Sequence, residues 1–355
     1  MQRPDLTNVD PRVIAYIEYL ESIAGSRASS RSSRAAIYNS EPVELSPERA
    51  AEALPAEQEN NAQIVTISRR GLAKRTLRHT YTRQHRGGMG VFGLDVDPTD
   101  EPAILANAGE NQTLLIFTSR ARAFRYALDN IPSTPVMGKG KLITERFSLE
   151  PDEKLVGALP VQATGYVAMV SENGRVRVLR HHLFGEHMRP GTELYKYGEY
   201  GPLAAVCWTP GDAHIFVVTQ QGMGIRFAEK AISPQGDQGI KLAPGDRAVA
   251  ITPVYDDSGV FILGADGRGT VRLMSGFSAN KSPGGSGKIA FKSKKVVGAA
   301  VVEPNDDLFV ISQLGKIIRF PVDEVPTTEG VVQGVNCMGL RGDEAVSILK
   351  SGPIY

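Results

Sequence analysis

The chain has 355 residues, and its 40 Lys and Arg residues nearly equal its 39 Asp and Glu residues, so the formal net charge is +1. Hydrophobic residues at 41% and charged residues at 22% are typical of a globular protein with a sizeable core, which excludes wholesale disorder. No apolar run reaches the roughly 20 residues that span a membrane, and two cysteines are too few for a disulfide framework or a cysteine-based zinc site. Because no apolar signal core follows Met1, we expect a soluble cytoplasmic protein without a membrane partner.

Residues 1–61 are predicted to form an N-terminal extension with 6 basic and 10 acidic residues. Apolar residues at helical spacing predict a helix over about residues 11–24, and Gly25 is a typical helix stop. The Ser-, Arg-, Glu- and Ala-rich sequence that follows predicts a flexible linker. Two interpretations of the helix stay open, a cover on the main domain or a docking element for a partner. The rest of the chain is mildly basic, with 34 basic and 29 acidic residues.

From residue 62 onward, six units share one pattern: a β-rich run, a polar turn, and an arginine inside a second β-rich run. These arginines, at spacings of 50, 52, 49, 46 and 47 residues, are Arg75, Arg125, Arg177, Arg226, Arg272 and Arg319. The turn contains a glycine, as a hairpin with positive φ requires, in every unit except the second, which has Ser119-Arg120-Ala121. A glycine-containing loop begins 12 to 15 residues after each arginine, at Gly87, Gly138, Gly191, Gly239, Gly284 and Gly334.

Six units of about 49 residues fill residues 62–355, and each is long enough for four short strands. No such unit buries both faces of its sheet alone, so the units must pack against one another. The repeats therefore predict an all-β fold, a six-bladed β-propeller formed by residues 62–355 as one closed ring.

The loop of the first unit reads Arg83-Gln84-His85-Arg86-Gly87-Gly88-Met89-Gly90. At this place in a six-unit array it resembles the gyrase-A box, the basic, glycine-rich signature of the A subunit of bacterial DNA gyrase. His85 and Met89 stand where the family has basic residues, and the other five box positions match. The loops beginning at Gly239 and Gly334 are similar to the same family, so the resemblance covers residues 62–355.

The resemblance implies the C-terminal β-pinwheel domain shared by the A subunits of gyrase and of topoisomerase IV, in which blades exchange strands and DNA wraps on a basic outer rim. Arginine in a glycine-rich loop suits this role, because its guanidinium and the loop amides contact phosphate without reading sequence. The predicted DNA-binding residues are the eight of the loop, residues 83–90, together with Lys139, Lys141, Arg180, Lys288, Lys292, Lys294 and Lys295.

The family's DNA-cleaving tyrosine lies in a large N-terminal module, for which 61 leading residues are too few. We therefore expect no catalytic residue, no cofactor, no metal and no small-molecule substrate. The expected partners are double-stranded DNA and subunits of an ATP-hydrolysing type IIA topoisomerase, at the nucleoid. The alternative function is a protein-interaction propeller that has lost most DNA wrapping.

Several other residue groups have a structural explanation beside a functional one. The unit arginines either bridge neighbouring blades or face DNA, and the sequence does not separate the two roles. His181, His182 and His187 lack a fourth ligand at zinc spacing, so we expect exposed or phosphate-facing side chains. Asp256-Asp257 and Asp306-Asp307 precede β-rich runs, where turn chemistry explains them better than cation binding.

Overall fold

The computed structural model describes residues 53–97, 99–278 and 281–352. These residues form six sheets that correspond to the six predicted units. The predicted helix at about residues 11–24 and most of the predicted linker lie outside the described residues. The described part of the chain has one α-helix, α1 (Tyr197–Tyr200), of a single turn. None of its helices is long and apolar enough to cross a membrane.

Each sheet is one blade, with its strands named from the centre of the ring outward. Blade 1 has β4 (Pro102–Ala108), β1 (Gln63–Ser68), β2 (Leu72–Leu77) and β7 (Lys141–Leu142). Blade 2 has β8 (Leu155–Pro160), β5 (Thr113–Thr118), β6 (Arg122–Ala127) and β11 (Thr192–Glu193). Blade 3 has β12 (Leu203–Thr209), β9 (Tyr166–Ser171), β10 (Arg175–Arg180) and β15 (Asp237–Gln238).

The remaining three blades complete the ring. Blade 4 has β16 (Ala248–Val254), β13 (His214–Thr219), β14 (Met223–Ala228) and β19 (Lys288–Ile289). Blade 5 has β20 (Val296–Val302), β17 (Gly259–Gly264), β18 (Arg268–Leu273), β23 (Thr327–Thr328) and β24 (Val335–Asn336). Blade 6 has β25 (Ala345–Ser351), β21 (Asp307–Ser312), β22 (Lys316–Pro321) and β3 (Val91–Phe92). Blade 5 departs from the predicted four strands because β23 and β24 both pair with β18.

The inner strands contact one another in sequence from blade 1 to blade 6, and β25 contacts β4 to close the ring. The middle strands are buried on both faces; all six residues of β1 and of β21 are buried. Apolar clusters lie between neighbouring blades, where Ile116 and Phe124 of blade 2 pack with Ile67 and Ile104 of blade 1. Each such side chain contributes roughly 1.5–3 kcal/mol on burial. The predicted six-bladed closed propeller is confirmed.

The outermost strand of every blade comes from the following unit of the sequence. Strand β7, which follows the hairpin of the second unit, pairs with β2 of blade 1. Strand β3, from the first unit, pairs with β22 of blade 6. A sequence unit and a blade are therefore different objects, and the box loop of the first unit lies at the outer edge of blade 6.

The hairpin turns repeat one geometry around the ring. In blade 4, the Gly222 N–H donates to the Thr219 carbonyl at 3.0 Å, and Gly222 has φ +83°. The second unit lacks the glycine, yet Ala121 adopts φ +56° at the same position and donates to the Thr118 carbonyl at 2.9 Å. The two strands of the hairpin thus impose the turn conformation, and Ala121 adopts a positive φ as glycine does in the other blades.

Candidate nucleic-acid interface

The backbone of the box loop, residues 84–90, is held against blade 6 and against the segment that follows β24 at the outer edge of blade 5. The N–H of Gly87 donates to the carbonyl oxygen of Cys337 at 2.9 Å. Gly87 and Gly90 have φ values of +83° and +69°. A Cβ on Gly90 would lie 2.5 Å from the carbonyl oxygen of Ile317. Position 90 therefore requires glycine for both its backbone conformation and its close approach to β22.

The charged side chains of the box are occupied by acceptors of the sixth unit. Arg86 donates through its backbone N–H to Oε2 of Glu324 at 2.7 Å and through Nε to the Glu324 carbonyl at 2.8 Å. Its Nη1 lies 3.3 Å from the carbonyl of Asn336. His85 Nδ1 contacts the other carboxylate oxygen of Glu324. Met89, at the position of a missing basic residue, is 44% exposed. One carboxylate, that of Glu324, therefore lies beside the box, where it contacts His85 and the Arg86 backbone N–H and offsets part of the positive charge of the loop.

Arg83 belongs to a charged cluster that joins blade 6 to blade 1. Its Nε lies 3.1 Å from Asp307, and Arg319 Nε donates to the same carboxylate at 2.9 Å. Arg78 donates to Asp307 at 2.8 Å, and Glu57 contacts both Arg78 and Arg319. Arg78, Arg319 and Asp307 are almost fully buried, and burial together with Arg319 lowers the pKa of Arg78. Arg83 therefore contacts a structural ion cluster.

The unit arginines make a repeated bridge. In five of the six units, the guanidinium donates to main-chain carbonyls of the following unit, around the ring. These donor and acceptor pairs are Arg75 to Ile131, Arg125 to Phe184, Arg226 to Met274, Arg272 to Thr328, and Arg319 to Arg78. Arg177 differs and donates to Leu194 of its own unit at 2.6 Å. The sequence left two roles open for these arginines, bridging neighbouring blades or facing DNA. The observed contacts are those of the first role.

The seven predicted DNA-binding residues outside the box are all exposed. They are Lys139, Lys141, Arg180, Lys288, Lys292, Lys294 and Lys295. Lys141 and Lys288 lie on the outermost strands β7 and β19. Lys295 pairs with Glu344 at 2.6 Å, and Arg180 lies over the Tyr166 ring at 5.9 Å. The fold therefore presents lysines on the outer edges of blades 1 and 4.

The positive rim is interrupted between these two blades and at blade 6. The outer strand of blade 2 carries Glu193, and that of blade 3 carries Asp237. The outer strand of blade 6 is Val91 and Phe92, which are 40% and 59% exposed. Exposed charge around the described rim thus forms separate patches.

The histidines of the third unit do not converge on a common centre. His181 Nδ1 lies 3.2 Å from the carbonyl of Gly165, while His182 and His187 are exposed. Among the described residues there is no group of three or more His, Cys, Asp or Glu side chains that could hold a metal ion.

Sequence reasoning missed the carboxylates that occupy the box and its neighbourhood. Glu324 is 238 residues from Arg86 along the chain, and Glu57 lies in the segment assigned to the linker. Nothing in a single sequence links positions so far apart. Only the exchange of β3 into blade 6 brings Glu324 beside the box.

The chain matches one family of known proteins. The family model described as the DNA gyrase C-terminal domain β-propeller matches residues 62–101, 112–162, 213–254 and 306–350, half of the chain. Similar curated proteins include the DNA gyrase A subunit of Aminobacterium colombiense, 28% identical over 295 residues, and that of Clostridium acetobutylicum, 28% identical over 303 residues. The matches cover 80% and 82% of this chain but only 36% of either relative.

Two solved structures share the fold. The DNA gyrase A C-terminal domain aligns with a TM-score of 0.71 at 20% identity, covering 81% of this chain and 99% of that structure. The C-terminal domain of DNA topoisomerase IV aligns with a TM-score of 0.58 at 18% identity, covering 82% of this chain and 93% of that structure. The resemblance drawn from the box and the repeats is confirmed.

Proposed function

Since the chain belongs to the DNA gyrase C-terminal domain β-propeller family, we propose that it binds double-stranded DNA without sequence preference and bends it along the outer edge of the ring. The observation that carries the proposal is the set of exposed lysines on and beside the exchanged outer strands, represented by Lys139, Lys141 and Lys288. Lysines on a convex edge contact successive phosphates, which supplies affinity without base reading.

The test is a gel-shift titration with duplex DNA at increasing salt. We expect a retarded complex at low salt and a linear fall of log affinity with log salt, at about 0.9 per neutralised phosphate. Wrapping, in which the bend follows a chiral path around the ring, is measured separately, by ligating a nicked plasmid in the presence of the protein and reading its linking number after protein removal. The absence of any complex at low salt would refute DNA binding, whereas binding with an unchanged linking number would refute wrapping.

The proposed role is accessory to a type IIA topoisomerase that supplies strand cleavage and ATP hydrolysis. The chain spans about a third of the length of its curated relatives, and its match lies in a family named for the C-terminal domain. We predict that the purified protein neither relaxes nor cuts supercoiled plasmid, with or without ATP and magnesium. A covalent protein–DNA adduct on a denaturing gel would contradict this prediction.

A second candidate function, protein interaction, is favoured by the outer edge of blade 6. Exposed apolar side chains meet there in place of basic ones: Met89, Val91, Phe92 and Leu314. Phe92, Leu314 and Met137, which is 81% exposed, line a cleft of about 500 Å³ that also contains Asp95 and Asp97. Phe92→Ser discriminates the two functions, because it removes apolar surface without changing charge. Under the second function it abolishes binding of the topoisomerase subunit in a pull-down, while DNA binding is retained.

A further inference from the structure

A second loop repeats the backbone of the box at the outer edge of blade 4. Residues 281–288 precede β19 as residues 84–91 lead into β3. Gly284 and Gly287 have φ values of +84° and +69°, within 1° of Gly87 and Gly90. In this alignment Ser286 occupies the position of Met89. The two loops therefore share one conformation at two different places on the rim.

The two loops also make the same contacts with the neighbouring loop. Gly87 N–H donates to Cys337 in the box, and Gly284 N–H donates to the equivalent Gly239 at 3.0 Å. In the return direction, Lys241 N–H donates to the carbonyl of Gly285 at 2.9 Å. The corresponding box contact runs from Gly339 to Gly88 at 2.8 Å. The two loops therefore share their backbone hydrogen bonds as well as the spacing of their glycines.

The electrostatic surroundings of the two loops are opposite. The box arginine is held by Glu324, whereas the position of Arg86 is Pro283 in the second loop. Around the second loop are the exposed lysines Lys241, Lys281, Lys288, Lys292 and Lys294. Within the described part of the chain, none of these five ammonium groups lies within 4 Å of a carboxylate in an ion pair.

The second loop is also the more open of the two. Gly285 and Gly287 are exposed, whereas the equivalent Gly88 and Gly90 of the box are half-buried. Among the described residues, no acceptor receives a hydrogen bond from the N–H of Gly285 or Ser286. Exposed amides in a glycine-rich turn are suitable donors for a phosphate oxygen.

An open cleft of about 1200 Å³ continues from this loop across blades 4 and 5. Ser286, Lys241, Lys292 and Lys294 lie along it. The cleft also contains three carboxylates, one in an ion pair and two that accept backbone N–H groups. Asp266 accepts from the Arg268 N–H, Asp343 accepts from the Leu314 N–H, and Glu344 pairs with Lys295.

We infer that the main phosphate-binding loop of this chain is residues 281–288 on blade 4, flanked by Lys241, Lys292 and Lys294, and that the box at residues 84–90 mainly closes the ring. This inference rests on the proposed binding of duplex DNA and locates it on the molecule. The DNA backbone lies along the outer edge of blade 4, with one phosphate at the amides of Gly285 and Ser286.

The first test removes two lysines that make no side-chain hydrogen bond to described residues. Lys281→Ala/Lys294→Ala is compared with Lys154→Ala/Lys196→Ala, which removes the same charge from exposed positions away from blade 4. We expect the blade 4 pair to weaken duplex binding about tenfold at low salt and to reduce the salt slope by about 1.8, while the control pair binds like the parent. Arg86→Gln is expected to lower Tm and leave DNA affinity within about twofold.

The second test reports location. Ser286 and Met89 are equivalent positions of the two loops. Ser286→Cys and Met89→Cys are each labelled with a thiol-reactive photocrosslinker. The parent protein, labelled in the same way, controls for the native cysteines. We expect crosslinks to a short duplex from Ser286→Cys and few from Met89→Cys. Stronger crosslinking from Met89→Cys, or parent-like binding by Lys281→Ala/Lys294→Ala, would overturn the inference while leaving DNA binding intact. A parent protein that binds no duplex would overturn both.

Discussion

At the scale of single residues, Glu153 shows how a buried carboxylate is kept ionised. It accepts from Arg122 Nε at 2.9 Å, from the Thr118 hydroxyl, and from the Glu150 N–H at 3.0 Å. Burial opposes ionisation, but these hydrogen bonds outweigh it and hold the pKa of Glu153 below its ordinary value of 4.5. Glu153 therefore stabilises blade 2 as a carboxylate and contributes less when it is protonated.

This carboxylate gives the protein a testable acid sensitivity. Its pKa is lower in the folded than in the unfolded chain, so its stabilising contribution is complete above pH 4.5 and is lost as the pH falls through the folded value. Glu153→Gln should lower Tm at neutral pH, and its deficit relative to the parent should shrink in acid. Thermal melts across this pH range measure the effect. A deficit that stays constant with pH would contradict the assignment.

Met89 allows the charge of the box to be tested directly. Met89→Lys places an ammonium on an exposed position where the family has a basic residue. Because the DNA backbone is placed along blade 4, we expect Met89→Lys to leave the salt slope nearly unchanged, whereas one more neutralised phosphate would steepen it by about 0.9. Met89→Gln is the control for loss of the apolar side chain. A salt slope steeper by about 0.9 in Met89→Lys would show that DNA also reaches the outer edge of blade 6.

At the scale of elements, each exchanged outer strand joins one blade to the following unit of the sequence. Each is only two residues long, and its pairing depends on close approach at the neighbouring hairpin turn. At blade 6, both Gly93 and Leu94 donate to the carbonyl of Gly315. A Cβ on Gly315 would lie 1.9 Å from the carbonyl oxygen of Leu94. The turn and the exchanged strand are thus fitted to each other.

Gly315→Ala should separate the exchanged strand from its blade. Gly315 has φ +79°, so alanine adds conformational strain and a clash with backbone, together about 3 kcal/mol or more. Gly342→Ala is the matched control, because Gly342 has φ +70° but no atom within 4 Å of the point where a Cβ would lie, and should cost only about 1 kcal/mol. Denaturant unfolding measures both. Equal losses would show that close approach is unimportant at this turn.

At the scale of the whole molecule, the ring is closed by interactions between the two ends of the repeat region. Strand β3 pairs with blade 6, and Glu57 contacts Arg78 of blade 1 and Arg319 of blade 6. Residues before the first strand therefore take part in ring closure, although the sequence assigns them to the linker.

Two deletions distinguish the contribution of residues 1–52 from that of residues 53–60, which include Glu57. Deleting residues 1–52 should leave Tm nearly unchanged, because every described contact is retained. Deleting residues 1–60 removes Glu57 and leaves the buried Arg78 and Arg319 with Asp307 as their remaining carboxylate partner, which should cost about 3 kcal/mol. Glu57→Gln in the full chain should reproduce most of that loss. Equal stability of the two deletions would show that Glu57 is dispensable.

The number of blades, the hairpins and the position of each glycine loop could be predicted from the sequence alone, because they depend on local periodicity and turn chemistry that recur six times. Gln84, Arg86 and the box glycines also indicated the family. The blade that receives each outer strand, and the carboxylate that lies beside the box, became known only from the folded ring. Glu324 reaches the backbone N–H of Arg86 because ring closure brings together residues that are more than 200 positions apart, and such a pairing leaves no local pattern in the sequence.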